Sequence, residues 1–194
     1  MTATVRNIER LAEAGAGAIV LKSLFEEEIL TEVEQTRRAM ERPGFIFPET
    51  ADMDDLIDDE NAMTNYLRLI ADAKSVSSVP VIASVNCISA STWPTYTRQL
   101  EDAGADAIEL NIFLMPTDVS ARESSEFEKR YFDIVSAVLE NVGIPVAIKV
   151  GYHFTLLAKT LADLSQSGIS GMVLFNRFFH PDFDIDTLEV KPTN

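Results

Sequence analysis

The sequence predicts an α/β chain of successive βα units, in the pattern of an incomplete (β/α)8 barrel of TIM type, on three observations. First, an acidic-x-Ala-Gly-Ala-x-Ala phrase running into apolar residues occurs as Glu13-Ala-Gly-Ala-Gly-Ala-Ile-Val-Leu-Lys22. It recurs as Asp102-Ala-Gly-Ala-Asp-Ala-Ile-Glu-Leu-Asn111, and more loosely as Ser167-Gly-Ile-Ser-Gly-Met-Val-Leu-Phe-Asn176. Second, the predicted strands are short and nearly all apolar, as strands covered by helices on both faces of a parallel sheet are. Third, strands and helices alternate along the chain. About five βα units are present in one domain spanning 1–194. A complete barrel takes about 250 residues and at least about 200, so a partial barrel is expected. An open doubly wound sheet is the competing arrangement. A glycine-rich phosphate turn would mark it after the first strand, where Lys22-Ser23-Leu24-Phe25-Glu26 stands instead.

Each element has a local reason. A helix over 4–14 stops at Gly15, where a left-handed residue ends it, and a strand follows over 18–22. A helix over 26–42 leads into an irregular acidic segment, 42–60, whose Pro43, Gly44 and Pro48 break regular structure and which fits a loop over a site. A helix over 61–76 carries Leu67 and Ile70 on one face. Pro80 and Pro145 open strands over 81–86 and 146–150, a position where the missing N–H is tolerated. Between them lie a helix over 92–103, a strand over 107–112 and a helix over 122–142 whose Phe127, Tyr131, Ile134 and Val138 share a face. A helix over 154–167 stops at Gly168, and a last strand follows over 172–176.

Composition narrows the function. Thirty-one acidic residues against 16 basic ones give a net charge of −15, which repels a phosphate backbone and argues against nucleic acid as a partner. Two histidines and one cysteine, Cys87, cannot complete a structural zinc site, and the acidic run from Asp52 to Glu60 lacks the spacing of a calcium loop, so no metal is expected. The lone cysteine fits a reducing compartment. With no export signal read at Met1-Thr2-Ala3-Thr4 and no apolar run long enough for a membrane span, a cytoplasmic chain acting on a small molecule is expected.

Candidate chemistry sits at the strand ends, where a barrel gathers side chains at one mouth. The first strand ends in Lys22-Ser23, the second in Ser84-Val85-Asn86, the third in Glu109-Leu110-Asn111, the fourth carries Lys149, and the fifth runs into Asn176-Arg177. Amines and amides inside an apolar barrel cost several kcal/mol, on the order of a lost solvation shell, unless partnered or bound to a ligand. Lys149, within Val146-Ala147-Ile148-Lys149-Val150, is the strongest candidate. Lys22 at a strand end can equally face solvent, and Asn86, Asn111 and Asn176 can equally cap local turns. Glu109 alternates with Asn111 and shares its face, so a salt bridge to a barrel lysine competes with catalysis. His153, His180 and Cys87 are weaker candidates.

The runs Glu13 to Ser23, Ile108 to Asn111, Ile144 to Lys149 and Val173 to Asn176 together resemble the dihydroorotate dehydrogenases, and most of all the subgroup called dihydroorotate dehydrogenase-like proteins. The resemblance covers nearly the whole chain and implies an FMN-dependent (β/α)8 barrel of pyrimidine metabolism. It implies hydride transfer from a CH-CH bond of a small planar, pyrimidine-like substrate to the flavin. It further implies that Lys149 and Lys22 lie at the flavin, Asn86 beside them, and that Asn111 and Asn176 bind substrate. The position of the family's Cys or Ser base is Leu114, followed by Met115, Pro116, Thr117 and Asp118. Against the family, the chain corresponds to barrel strands two to six. The FMN phosphate cradle of strands seven and eight is therefore not expected in it, and the 194-residue chain alone is expected to be inactive. A homodimer is compatible with this reading. Two other readings stand beside it: a barrel aldolase forming a Schiff base through Lys149, and a non-catalytic barrel fragment.

Overall fold

The computed structural model describes residues 2–31, 34, 61–87, 92–114, 124–176, 181–183, 185 and 190–192. The 42–60 segment, His180, Thr117 and Asp118 lie outside them. Helix α1 (Val5–Glu13) leads to strands β1 (Ile19–Val20) and β2 (Leu24–Phe25), after which residues 26–31 are helical. Then follow α2 (Ala62–Val76), β3 (Val81–Asn86), α3 (Trp93–Asp102), β4 (Ala107–Ile112), α4 (Ser124–Leu139), β5 (Val146–Val150), α5 (Leu157–Ser165) and β6 (Gly171–Leu174). A short antiparallel pair, β7 (Pro181–Phe183) and β8 (Val190–Pro192), stands outside the main sheet.

All pairings in the main sheet are parallel. Both β1 and β2 pair with β3, which is followed in order by β4, β5 and β6. The result is an α/β fold with a parallel half-barrel sheet, as the repeated phrase leads one to expect. Its two edges are β1 with β2 on one side and β6 on the other. The β7–β8 pair has no counterpart in the sequence reading, because Pro181, Asp182 and Pro192 read as loop residues.

The recurring glycine does what the repeat implies. Gly15, Gly104 and Gly168 have φ of 89°, 97° and 93°, a region where a Cβ would clash with its own backbone. After α1, the Ala16 N–H bonds the Leu11 carbonyl at 3.1 Å, and after α3 the Ala105 N–H bonds the Leu100 carbonyl at 3.2 Å, which closes each helix end. At the other end of α2, the Asn61 side chain accepts from the Thr64 N–H at 2.8 Å.

Strand pleating sorts the sheet into two faces. Val81, Ala83, Val85, Ile108, Leu110, Ile112, Val146, Ile148 and Val150 alternate along β3, β4 and β5, and all are buried in the core with Ile70, Ala73, Leu100 and Val135 of the helices. The alternate positions, Ser84, Asn86, Glu109, Asn111 and Lys149, make up the other face, which in a closed barrel is the interior. On the edge strands apolar side chains remain open, with Val20 at 40%, Val173 at 38% and Leu174 at 49% exposure.

One irregularity decides which side chains reach that inner face. The predicted continuous strand 18–22 is broken: Val20 pairs with Ile82 but Leu24 with Val85, so the edge spends one residue more than β3 does over the same stretch. This bulge shifts the phase of the pleat by one residue. It also leaves the Ser84 backbone without a strand partner on that side, and the Tyr66 hydroxyl of α2 fills the gap. That hydroxyl donates to the Ser84 carbonyl at 2.9 Å and accepts from the Ser84 N–H at 3.0 Å.

Candidate functional site

The inner face carries one carboxylate, Glu109, and one amine, Lys149, within the six strands of the parallel sheet. Register places Ser84 beside Glu109 and Asn111 beside Lys149, because parallel neighbours in register point to the same side. Glu109 is only 5% exposed. Its burial is tolerated because the Ser84 hydroxyl donates to Oε1 at 2.7 Å and Lys149 Nζ lies 3.5 Å from the same oxygen. The salt bridge that alternation allowed between Glu109 and a barrel lysine is therefore present.

Hydrogen bonding extends this pair into a directed chain. A serine hydroxyl has a single proton, and that of Ser84 is given to Glu109. In the 2.7 Å contact between Ser23 Oγ and Ser84 Oγ, Ser23 is consequently the donor. Asn111 Nδ2 in turn donates to Ser23 Oγ at 3.2 Å, and Asn176 Nδ2 donates to Asn111 Oδ1 at 2.6 Å. Asn86 joins from the side, its Nδ2 donating to the Asn111 carbonyl at 2.6 Å. From Asn176 through Asn111, Ser23 and Ser84 each donation runs toward Glu109, so the orientation of the Asn176 and Asn111 amides follows from the carboxylate at the end.

Of the residues singled out in the sequence, Asn86, Asn111, Lys149 and Asn176 are thus brought together with Glu109. Lys22 is placed elsewhere. It is exposed, and its Nζ bonds Glu28 Oε1 at 3.1 Å. Without the bulge Lys22 would stand opposite Ser84; with it, Ser23 takes that place. In the sequence Ser23 and Ser84 stand out only as small residues at strand ends, and nothing local distinguishes Tyr66, whose role depends on a break in a distant strand.

Leu114 packs against the core, and the Tyr131 hydroxyl bonds to its backbone. Burial pushes that phenol up to about 12, and it pushes the Tyr66 phenol further, so neither ionises near neutrality. Cys87 is buried, which raises its thiol to about 12 against the opposing hydrogen bond from Thr92, and removes it as a nucleophile. His153 stacks on Tyr152 with ring centres 4.3 Å apart. Among the described residues no cluster of three or more metal-ligating side chains occurs. None of their helices is long and apolar enough to cross a membrane.

The donor set of the inner face, amides with one ammonium, fits a flat ring bearing carbonyls or negative charge, such as an isoalloxazine. A glycine-rich phosphate cradle is not found among the described residues.

No family model matches the chain. In sequence it is 26% identical, over 88% of its length and 53% of the relative's, to a protein of Aeropyrum pernix named as a dihydroorotate dehydrogenase A (fumarate). It is 23% identical, over 99% of its length and 60% of the relative's, to the catalytic subunit of dihydroorotate dehydrogenase B (NAD(+)) of Methanothermobacter thermautotrophicus. In structure it superimposes on dihydrodipicolinate synthase of Agrobacterium tumefaciens with a TM-score of 0.54 at 17% identity, covering 88% of this chain and 46% of that one. On a phosphonopyruvate hydrolase bound to oxalate and Mg++ the TM-score is 0.51 at 17% identity, covering 91% and 56%. These structures share the fold alone. In sequence, the chain is similar to dihydroorotate dehydrogenases over nearly its whole length, and it spans a little over half of theirs.

Proposed function

We propose that the chain is the part of a flavin-dependent oxidoreductase that carries the inner face of its barrel, acting on a small planar substrate as dihydroorotate dehydrogenases do. The observation that carries this reading is the convergence of Asn86, Asn111, Lys149 and Asn176 on one face, in a chain whose curated relatives bear that name. FMN is the cofactor that reading calls for, and when bound it supplies the hydride acceptor. Lys149 would hold the electron-rich side of the ring through its ammonium, with Glu109 fixing its position. Asn111 and Asn176 would orient the substrate ring through their amides, and Asn86 would steady Asn111 through its backbone carbonyl.

The test is to add dihydroorotate to protein soaked with FMN, in the absence of oxygen, and to follow the visible flavin band. Bleaching that Lys149→Ala slows is the expected result. The competing reading, a Schiff-base lyase, rests on Lys149 standing inside a strand. Borohydride would then fix a carbonyl substrate covalently to Lys149, with no flavin band present. Neither bleaching nor trapping would leave the non-catalytic fragment.

A further inference from the structure

The mouth formed by β4, β5 and β6 carries aromatic side chains that the amide network does not use. Phe113 follows β4, Tyr152 and His153 follow β5, and Phe175 follows β6. Tyr152 and His153 stack with ring centres 4.3 Å apart and planes 33° apart, and Phe175 meets Tyr152 edge-on at 6.4 Å. Gly151 shows which way the cluster faces. It lies two residues beyond Lys149, and the Asn176 N–H bonds the Val150 carbonyl at 2.8 Å, so strand pairing continues past β6 and the side-chain position of Gly151 falls on the Lys149 side of the sheet. A methyl group there would lie 3.6 Å from His153 Cδ2 and 3.9 Å from Phe113 Cδ2 and Cε2. The His153 and Phe113 rings therefore stand over the inner face, one step nearer the mouth than Lys149.

Two features set this cluster apart from core packing. All four rings are only half-buried. Among the described residues His153 also makes no hydrogen bond or ion pair, and neither of its ring nitrogens is closed off from solvent. A flat group with unused polar edges thus stands beside an aromatic face, over a floor of amides and one ammonium. A ligand that meets both must be flat and must carry donors and acceptors in its own plane. A cyclic imide, with its –CO–NH–CO– edge, answers to that description, and pyrimidinediones and isoalloxazines share it. We propose that Tyr152 and His153 form a ring-binding shelf for a planar cyclic imide: the ligand's edge bonds a His153 nitrogen and its face lies on Tyr152. A ring bonded edge to edge with His153 continues the layer that the imidazole begins over Tyr152. Phe175, edge-on against Tyr152, and Phe113, beside His153, hold the pair in place.

The shelf deepens the reading of this face as a site for flat rings and rests on it, but its test separates the two. Proton NMR follows the ring signals of uracil and of riboflavin, each titrated with the protein. Both probes carry the imide and neither carries a phosphate. Saturable upfield displacement, the ring-current mark of a stacked aromatic, is expected for at least one of them. Tyr152→Leu should weaken that binding by about three- to ten-fold, the value of one aromatic contact. His153→Phe, which keeps a ring but no nitrogen, should weaken it by about two- to ten-fold, the value of one net hydrogen bond, and His153→Gln should restore part of the loss. Thermal melting identifies any variant that fails to fold; if Tyr152→Leu does, the contrast between His153→Phe and His153→Gln decides. No saturable displacement with either probe, or unchanged affinity in Tyr152→Leu and His153→Phe, overturns the proposal. Riboflavin binding that Lys149→Ala abolishes but the Tyr152 and His153 variants leave intact overturns the shelf and keeps the flavin. Uracil binding that depends on Tyr152 and His153, in a protein that leaves riboflavin free, upholds the shelf and removes the flavin.

Discussion

Asp106 illustrates how a single side chain sets the start of a strand. It joins α2 to β3, since its carboxylate takes both the Lys74 ammonium and the Val81 N–H at 2.7 Å. Burial alone would raise this acid, but the Lys74 hydrogen bond, the Val81 N–H and the Lys74 charge outweigh burial and hold it below the usual carboxylate range. With the folded value below the unfolded one of about 3.9, the contribution is complete above that pH and is lost as pH falls through the folded value. Denaturant midpoints for the wild type and Asp106→Asn should therefore differ at neutral pH, by about 1 kcal/mol given the half-exposed pair, and converge on acidification below about pH 4. A gap that persists in acid would contradict this. At the same scale, Lys149, Asn111 and Glu109 are legible in the sequence because strand alternation assigns faces without knowledge of the fold. An unbroken strand over 18–22 would set Lys22 opposite Ser84, whereas the register shift between Val20 and Leu24, which sets Ser23 there, arises from pairing with a strand some sixty residues away.

At the level of elements, helix ends are legible and the bulge is not. The glycine after each repeated phrase is needed for its positive φ, and the space around Gly104 is ample, since a methyl group added there would have Lys74 Cγ at 3.9 Å as its nearest neighbour. Gly104→Ala should cost about 1 to 2 kcal/mol from backbone strain alone, read as a lower unfolding midpoint without change in slope. The bulge has its own partner in α2. Tyr66→Phe removes the one group that satisfies both the N–H and the carbonyl of Ser84, and should cost about 1 to 3 kcal/mol in the same measurement. No change in Tyr66→Phe would mean that water or a shifted strand replaces the lost contacts, and no change in Gly104→Ala would contradict the strain assigned to the positive φ. Tyr66 cannot be identified from sequence, because it looks like any aromatic on an amphipathic helix until the gap it fills is known.

As a whole, the molecule presents a sheet with helices on one face and a polar network with open apolar rims on the other. A closed barrel has eight strands and no edges; here β1 with β2, and β6, carry Val20, Val173 and Leu174 exposed. The chain taken alone should self-associate in a concentration-dependent way in size-exclusion chromatography, and Val173→Lys on the β6 edge should reduce it. A clean, thermally stable monomer would show instead that the edges are covered. The parallel half-barrel sheet is legible from five apolar strands, whereas the network is not, since it links residues of β3, β4 and β5 with Ser23 just before β2 and Asn176 just beyond β6 through contacts no spacing rule reports.

Whether this inner face holds a flavin ring is tested most directly by a visible-absorbance titration with FMN. The titration compares the chain as it stands with one continued through the rest of the barrel, each beside its Lys149→Ala and Asn111→Ala variants. Saturable shifts of the flavin bands, strongest in the continued chain and weakened by both substitutions, are the predicted result. Flavin bands that stay those of free FMN with every protein would contradict the assignment of this face to a flavin.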